Sequence, residues 1–227
     1  MKLCIIPARG GSKRIPRKNI KTFNGRPLIS WSISTAINSK IFDKVIVSTD
    51  DEEIAEISKK YGAEIPFLRP STISGDHTPT RDVVLHSINW FEKKGLIIDT
   101  LCCIYATAPF IKESFLKEAN QILQSSDESF YIFSATSFPF PIQRAITIDK
   151  KGYSKMINPE HFNTRSQDLI ETYHDAGQFY FAKKQTWINK TSFFDQSKPF
   201  ILPRYLVQDI DTLEDFKRAE LMHQIIS

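Results

Sequence analysis

Short unbroken apolar runs alternate along this chain with segments whose apolar residues recur every three or four positions. The first run, Lys2 to Ala8, and the next, Val45 to Thr49, lack the apolar/polar alternation of a sheet with one wet face. Such runs fill a parallel sheet that is covered on both sides. After the second run the period changes: Ile54, Ile57 and Tyr61 stand at helical spacing, Asp50-Asp51-Glu52-Glu53 suits the positive end of a helix dipole, and Gly62 is placed to end the helix. A short strand over Ala63 to Phe67 follows, then a helix over Thr80 to Lys94 closed by Gly95, a strand over Thr100 to Tyr105, a helix over Ser114 to Gln124 and a strand over Tyr131 to Thr136. Strand and helix thus alternate from residue 2 to residue 136, which predicts an α/β fold in three layers around a mainly parallel sheet.

The pattern breaks at Phe138. From there to Ser166 the residues Pro139, Pro141, Gly152 and Pro159 punctuate short strand candidates such as Gln143 to Ile148, with no long helix. Residues 138 to 166 therefore read as a small arm inserted into one domain of residues 1–227. Strands over Gly177 to Ala182 and Pro203 to Gln208, and a helix over Leu213 to Ile226, complete the domain. No internal repeat, low-complexity tract or flexible linker interrupts it.

Composition narrows the function classes. The net charge of +4 is modest, but Arg9, Lys13, Arg14, Arg17, Lys18, Lys21 and Arg26 fall in one stretch that holds no Asp or Glu. Concentrated positive charge suits a small polyanion better than nucleic acid, which would need basic residues spread along a face. No apolar run approaches the length that spans a bilayer, and Pro7 with Arg9 interrupts the first one too early for a signal peptide. Cys4, Cys102 and Cys103 lie in apolar runs without metal-ligand spacing to the histidines, so they read as reduced, buried thiols of a cytoplasmic protein.

Two segments carry candidate chemistry. Ala8, Arg9, Gly10, Gly11, Ser12 and Lys13 join the end of the first strand to a glycine turn. Glycine lets backbone N–H groups approach phosphate oxygens, and guanidinium and ammonium groups neutralise the charge. This is neither a Walker loop nor a dinucleotide fingerprint, since both glycine spacings are absent. The second segment is Asp209-Ile210-Asp211. On a strand, residues i and i+2 share a face, so the two carboxylates would converge and Ile210 would pack inward. Two adjacent carboxylates repel unless a cation lies between them, and an all-oxygen donor set suits Mg2+. Thr212 and Asp215 have the spacing of a capping box, which puts the pair where a strand gives way to a helix. A phosphate cradle and metal carboxylates in one chain point to nucleotidyl transfer, a reaction that runs on positioning and charge neutralisation.

The stretch from Pro7 through Ala8-Arg9-Gly10-Gly11-Ser12-Lys13-Arg14-Ile15-Pro16-Arg17-Lys18 to Asn19 also resembles the opening motif of a known family. That family is the acylneuraminate cytidylyltransferases, or CMP-sialic acid synthetases, which activate nine-carbon α-keto acid sugars with CTP. Residues 137–144, 159–169, 174–180 and 207–212 resemble its members too, most of all those that act on pseudaminic acid. The resemblance implies a Rossmann-like fold, a Mg2+ cofactor, and an arm that exchanges between subunits of a homodimer. Arg9, Ser12, Lys13 and Lys18 with Asn19 are assigned to the triphosphate, the last two matching the family's phosphate and ribose contacts; Arg9, Lys18 and Asp211 are the expected catalytic residues, and Asp209 and Asp211 the expected metal ligands. Arg69, Ser74 and Asp76 would stand near the cytosine. Arg165, Gln167, Tyr173, Asp175, Gln178 and Phe179 match the family's sugar block, in which an arginine fork clamps the ring carboxylate. His161 and His174 stand near this block, though a lone histidine is more often structural.

One segment departs from the family. Sialate synthetases commonly read Gln-Pro-Thr-Ser-Pro-Leu-Arg where this chain has Tyr105-Ala-Thr-Ala-Pro-Phe-Ile111. Losing an amide and an arginine from a sugar site discriminates strongly between substrates, and the change fits a less hydroxylated sugar such as pseudaminate, with Tyr105 in the sugar site. The same reaction on legionaminate or N-acetylneuraminate is the alternative substrate. A sugar-1-phosphate nucleotidyltransferase, and a regulatory protein that holds CTP without turnover, are the alternatives of other classes.

Overall fold

The computed structural model describes residues 1–226. Its strands and helices, in chain order, are β1 (Lys2–Pro7), β2 (Thr22–Phe23), β3 (Arg26–Pro27), α1 (Leu28–Asn38), β4 (Lys44–Ser48), α2 (Glu52–Lys60), α3 (Thr80–Glu92), β5 (Thr100–Ile104), α4 (Glu113–Gln124), β6 (Ile132–Ser137), β7 (Ile146–Ile148), β8 (Ser154–Met156), β9 (Tyr173–Lys183), α5 (Lys184–Asn189), β10 (Lys198–Ile201) and α6 (Leu213–Ile226). Six strands form the main sheet in the order β10-β6-β9-β5-β1-β4. β1 pairs in parallel with β4 and β5, and β10 with β6, while β9 runs antiparallel to both β5 and β6. The architecture is thus α/β with mostly parallel strands.

Alternation along β1 divides the core. Cys4 and Ile6 face one layer, where they meet Ile29 and Ile33 of α1, Ile54 of α2 and Leu116 of α4. Leu3 and Ile5 face the other, against Val84, Ile88 and Phe91 of α3 and Trp187 of α5. Both faces being covered is the reason that the run reads as apolar throughout. The three cysteines are fully buried and unpaired, and burial pushes each thiol up, away from the reactive thiolate. A third cluster unites Ile15, Phe23, Leu28, Leu206, Ile210 and Phe216, and so ties the basic loop, the β2–β3 hairpin and α6 together. The hairpin turns at Asn24-Gly25, both at positive φ, the geometry of the two-residue turn that such a pair favours.

Several expectations are corrected. Pro203 to Gln208 is no strand: a short 3-10 turn spans Arg204–Leu206, and residues 207–211 are irregular. Ala63 to Phe67 contributes only one isolated bridge, from Glu64 to Ile46 of β4, and Leu68 just beyond it bridges to Thr49. Helix α1 was unexpected, because Ser30, Ser32, Ser34 and Thr35 weaken its intrinsic propensity; Leu28, Ile29, Ile33 and Ala36 hold it by packing. β10 was also missed. It is an edge strand, where Pro199 is tolerated. Between β6 and β9 the chain leaves the sheet, forms the β7–β8 hairpin, and returns at Tyr173.

Candidate active site

The carboxyl ends of β1 and its neighbour β5 open into one cleft, at the point where β4 and β5 fall on opposite sides of β1. That is where open α/β sheets bind ligands. Its walls include Arg9, Ser12, Lys13, Arg14, Lys18 and Asn19 from the basic loop, Arg69 and Asp76 from the segment beyond β4, and Thr80 and Tyr105. The structure thus brings together the loop cations, the segment expected near the base and Tyr105.

The cleft cations have carboxylate partners. Arg9 and Lys13 both pair with Asp76, and these two contacts, Lys13 first, hold the Asp76 carboxyl down at about 2. Arg14 donates to Asp211 (2.7 Å), and the Lys18 ammonium donates to the Ile210 carbonyl (2.5 Å) and lies 3.5 Å from Asp211. Asn19 is buried and anchors the loop by donating to the Arg9 carbonyl (3.0 Å). The Arg69 side chain is also buried; its Nε donates to the Ser74 hydroxyl (3.2 Å), and burial lowers its pKa. Ser74 therefore orients Arg69 and does not line the cleft.

Asp209 and Asp211 flank Ile210, which is fully buried in the cluster that also contains Ile15. Without a strand, this buried anchor does the work expected of one, and the shared cluster brings the acidic segment against the basic loop. Surrounding protein, and then Asp211, push the Asp209 carboxyl up. The capping box forms as the spacing suggests: Thr212 N–H donates to Asp215 (2.8 Å) and Asp215 N–H to the Thr212 hydroxyl (3.1 Å). Among the described residues no group of three or more metal-ligating side chains gathers. Asp209 and Asp211 are outside the residues that line the cleft, but they stand close enough for Asp211 to raise the Asp209 carboxyl, and two such carboxylates fit Mg2+, which takes one or two protein carboxylates and completes its shell with phosphate and water.

Other expected site residues sit elsewhere. The Gly10 N–H donates to Asp50 (3.0 Å) and Ala8 N–H to Ser48 O (2.9 Å), so neither amide is offered to a phosphate; Gly11 is exposed. Phe179 points into the core and is 0% exposed, because its position on β9 faces the helical layer of α1 and α4. Gln178 is buried; its amide donates to the Leu206 carbonyl (2.6 Å), and its Oε1 has no partner among the described residues. Asp175 accepts from the Tyr180 hydroxyl and the Gly177 N–H, and Tyr173 donates to Glu171. Arg165 and Gln167 lie exposed on the arm and line no part of the cleft. Sequence reasoning missed Arg14, although it stood in the basic run, as well as Thr80, whose hydroxyl bonds to that of Tyr105 (3.0 Å). Nothing in a lone threonine signals that contact.

A family model described as Cytidylyltransferase matches residues 3–224. The chain belongs to that family. It is a nucleotidyltransferase by that membership, and its relatives are close. It is 47% identical over 225 residues to a pseudaminic acid cytidylyltransferase of Campylobacter jejuni, covering 98% of this chain and 96% of that one. To the CMP-N,N'-diacetyllegionaminic acid synthase of Legionella pneumophila it is 30% identical, covering 98% and 96%. Among solved structures, CMP:2-keto-3-deoxy-manno-octonic acid synthetase complexed with CTP superposes with a TM-score of 0.72 at 15% identity, covering 100% of this chain and 99% of that one, a likeness of fold.

Proposed function

We propose that this cytidylyltransferase transfers CMP from CTP to the anomeric hydroxyl of pseudaminic acid, giving CMP-pseudaminate and pyrophosphate. The observation that carries the reading is the convergence of Arg9, Lys13, Arg14 and Lys18 on one cleft at the strand ends, in a chain 47% identical to a pseudaminic acid cytidylyltransferase. A bond forms between the anomeric oxygen and the α-phosphorus, the bond from that phosphorus to the bridging oxygen of pyrophosphate breaks, and the hydroxyl proton passes to solvent. The four cations neutralise the triphosphate as charge moves to the leaving group. For this the triphosphate must take over cations now paired with Asp76 and Asp211. Arg69, fixed by Ser74, and the Asp76 segment border the base.

Asp209 and Asp211 are the residues that would hold Mg2+, which when bound supplies charge to phosphate oxygens. Arg165 and Gln167 stand on the arm, outside the cleft of their own chain, an arrangement that fits a homodimer in which each arm serves its partner's sugar site. Tyr105, hydrogen-bonded to Thr80 at the cleft wall, replaces the amide of sialate synthetases and supports the less hydroxylated substrate.

Pyrophosphate release with CTP and Mg2+ on pseudaminate, legionaminate and N-acetylneuraminate tests the substrate. Turnover highest with pseudaminate, and lost in Asp211→Ala, is the expected result. A preference for either other acid would overturn the reading of Tyr105 and Ile111.

A further inference from the structure

Asp50 and Asp51 follow β4 and line no part of the cleft, yet both grip the loop that does. Asp50 accepts the Gly10 N–H (3.0 Å) and lies 3.8 Å from the Arg69 guanidinium. Asp51 fills the space beside Gly10: a Cβ at residue 10 would sit 2.6 Å from Asp51 Oδ2 and 3.0 Å from its Cβ. The same carboxylate caps α2 through the Ile54 N–H (3.0 Å). It also takes both terminal nitrogens of Arg17, with Nη2 at 2.8 Å from Oδ1 and Nη1 on Oδ2. Glu53 takes Arg17 as well.

The far end of the loop shows why that grip matters. Arg17 has φ 57° and ψ 29°, a left-handed conformation that costs a side-chain-bearing residue roughly 1–2 kcal/mol. Strain of this kind persists only where the surroundings impose it, and here two carboxylates do. Lys18 is the next residue, so the orientation of Arg17 decides where the Lys18 ammonium starts from. One side chain, Asp51, therefore fixes the loop at both ends. The requirement for glycine at position 10 comes from Asp51, since the Gly10 amide is already committed to Asp50 and its φ is not positive.

We propose that Asp51, assisted by Asp50 and Arg17, is a positioning residue for nucleotidyl transfer, bracing the loop so that Arg9, Lys13 and Lys18 reach one triphosphate, without touching substrate itself. The proposal rests on the nucleotide reading given above. It makes Gly10 and Asp51 energetically coupled: room for a Cβ at residue 10 exists only when the Asp51 side chain is gone. Glycine is an acceptable N-cap, so Asp51→Gly leaves α2 in place.

Titration calorimetry with CTP in Mg2+ buffer, with melting temperatures alongside, tests this on the wild type, Asp51→Asn, Asp51→Gly, Gly10→Ala and the Gly10→Ala/Asp51→Gly double variant. Asn keeps the cap and the volume but loses the charged pair with Arg17, so Asp51→Asn is expected to bind CTP about tenfold more weakly with the melting temperature little changed. Gly10→Ala is expected to weaken CTP binding by more than about thirtyfold alone and by less than about threefold in the Asp51→Gly background, the signature of coupled neighbours. In steady-state assays of Asp51→Asn the KM for the sugar acid stays within about twofold while that for CTP rises. Equal cost of Gly10→Ala in both backgrounds, or an Asp51→Asn protein that melts lower but binds CTP normally, would overturn the brace alone. Failure of the wild type to bind CTP would overturn the nucleotide reading and the brace with it.

Discussion

Arg9 and Lys13 share Asp76 as counter-ion, and this one carboxylate sets the positive potential that an incoming triphosphate meets. Its folded pKa of about 2 lies below the unfolded value of about 3.9, so the contacts contribute above about pH 4 and are lost only as pH falls through about 2. Asp76 therefore adds no pH dependence near neutrality, whereas its removal frees two cations. Asp76→Asn is expected to bind CTP several-fold more tightly by calorimetry; weaker binding would mean that Asp76 organises the loop cations and does not compete for them. Asp209 has the opposite sign. Its folded pKa is raised, so the ionised group lowers stability at pH values above that pKa, and the penalty disappears below the unfolded value of about 3.9. In metal-free buffer at neutral pH, Asp209→Asn is expected to melt higher than the wild type while losing transferase activity. A lower melting temperature would contradict the electrostatic account of this pair.

Among the elements, the irregular segment around Ile210 shows what was legible and what was not. That the Asp209 and Asp211 carboxylates flank an inward-packing isoleucine could be read from the i, i+2 pattern, and the Thr212/Asp215 cap from its spacing. The strand inferred to present them could not be trusted, because Pro203 and the turn at Arg204–Leu206 break the ladder, and packing against Ile15 and Phe216 replaces it. Fully burying an isoleucine is worth roughly 1.5–3 kcal/mol, and truncation adds a cavity cost. Ile210→Ala is thus expected to lose about 2–5 kcal/mol in denaturant unfolding and to depress activity, since the acidic pair loses its register with Lys18. The same lesson applies to α1 and to the first half of β9. Serines in α1, and Gly177 at φ 60° beside the register shift in β9, hide elements whose stability comes from contacts distant in sequence. The basic loop, by contrast, was legible as a cation cluster because charge is written in single residues. Its glycine logic was not, since Gly10 answers to Asp51, which lies 41 residues away in the chain.

At the scale of the molecule, the arm is the part left without a covering layer. Phe140, Phe162 and Ile170 are 80%, 69% and 82% exposed, and Ile148 and Tyr153 of the hairpin region are exposed too. Exposed apolar side chains on the arm suit the proposed contact with a second copy of the chain, which would also bring Arg165 to a sugar site. Replacing Ile148 and Phe162 together with aspartate is expected to give a folded monomer by sedimentation, with activity lost; a dimer that persists would move the interface elsewhere. The central claim is the transfer of CMP itself. Incubation with pseudaminate, Mg2+ and CTP labelled at the α-phosphorus tests it most directly: the account predicts label in sugar-linked CMP, matched one to one by unlabelled pyrophosphate. Label recovered only as free CMP, or as unconsumed CTP despite measurable binding, would contradict it.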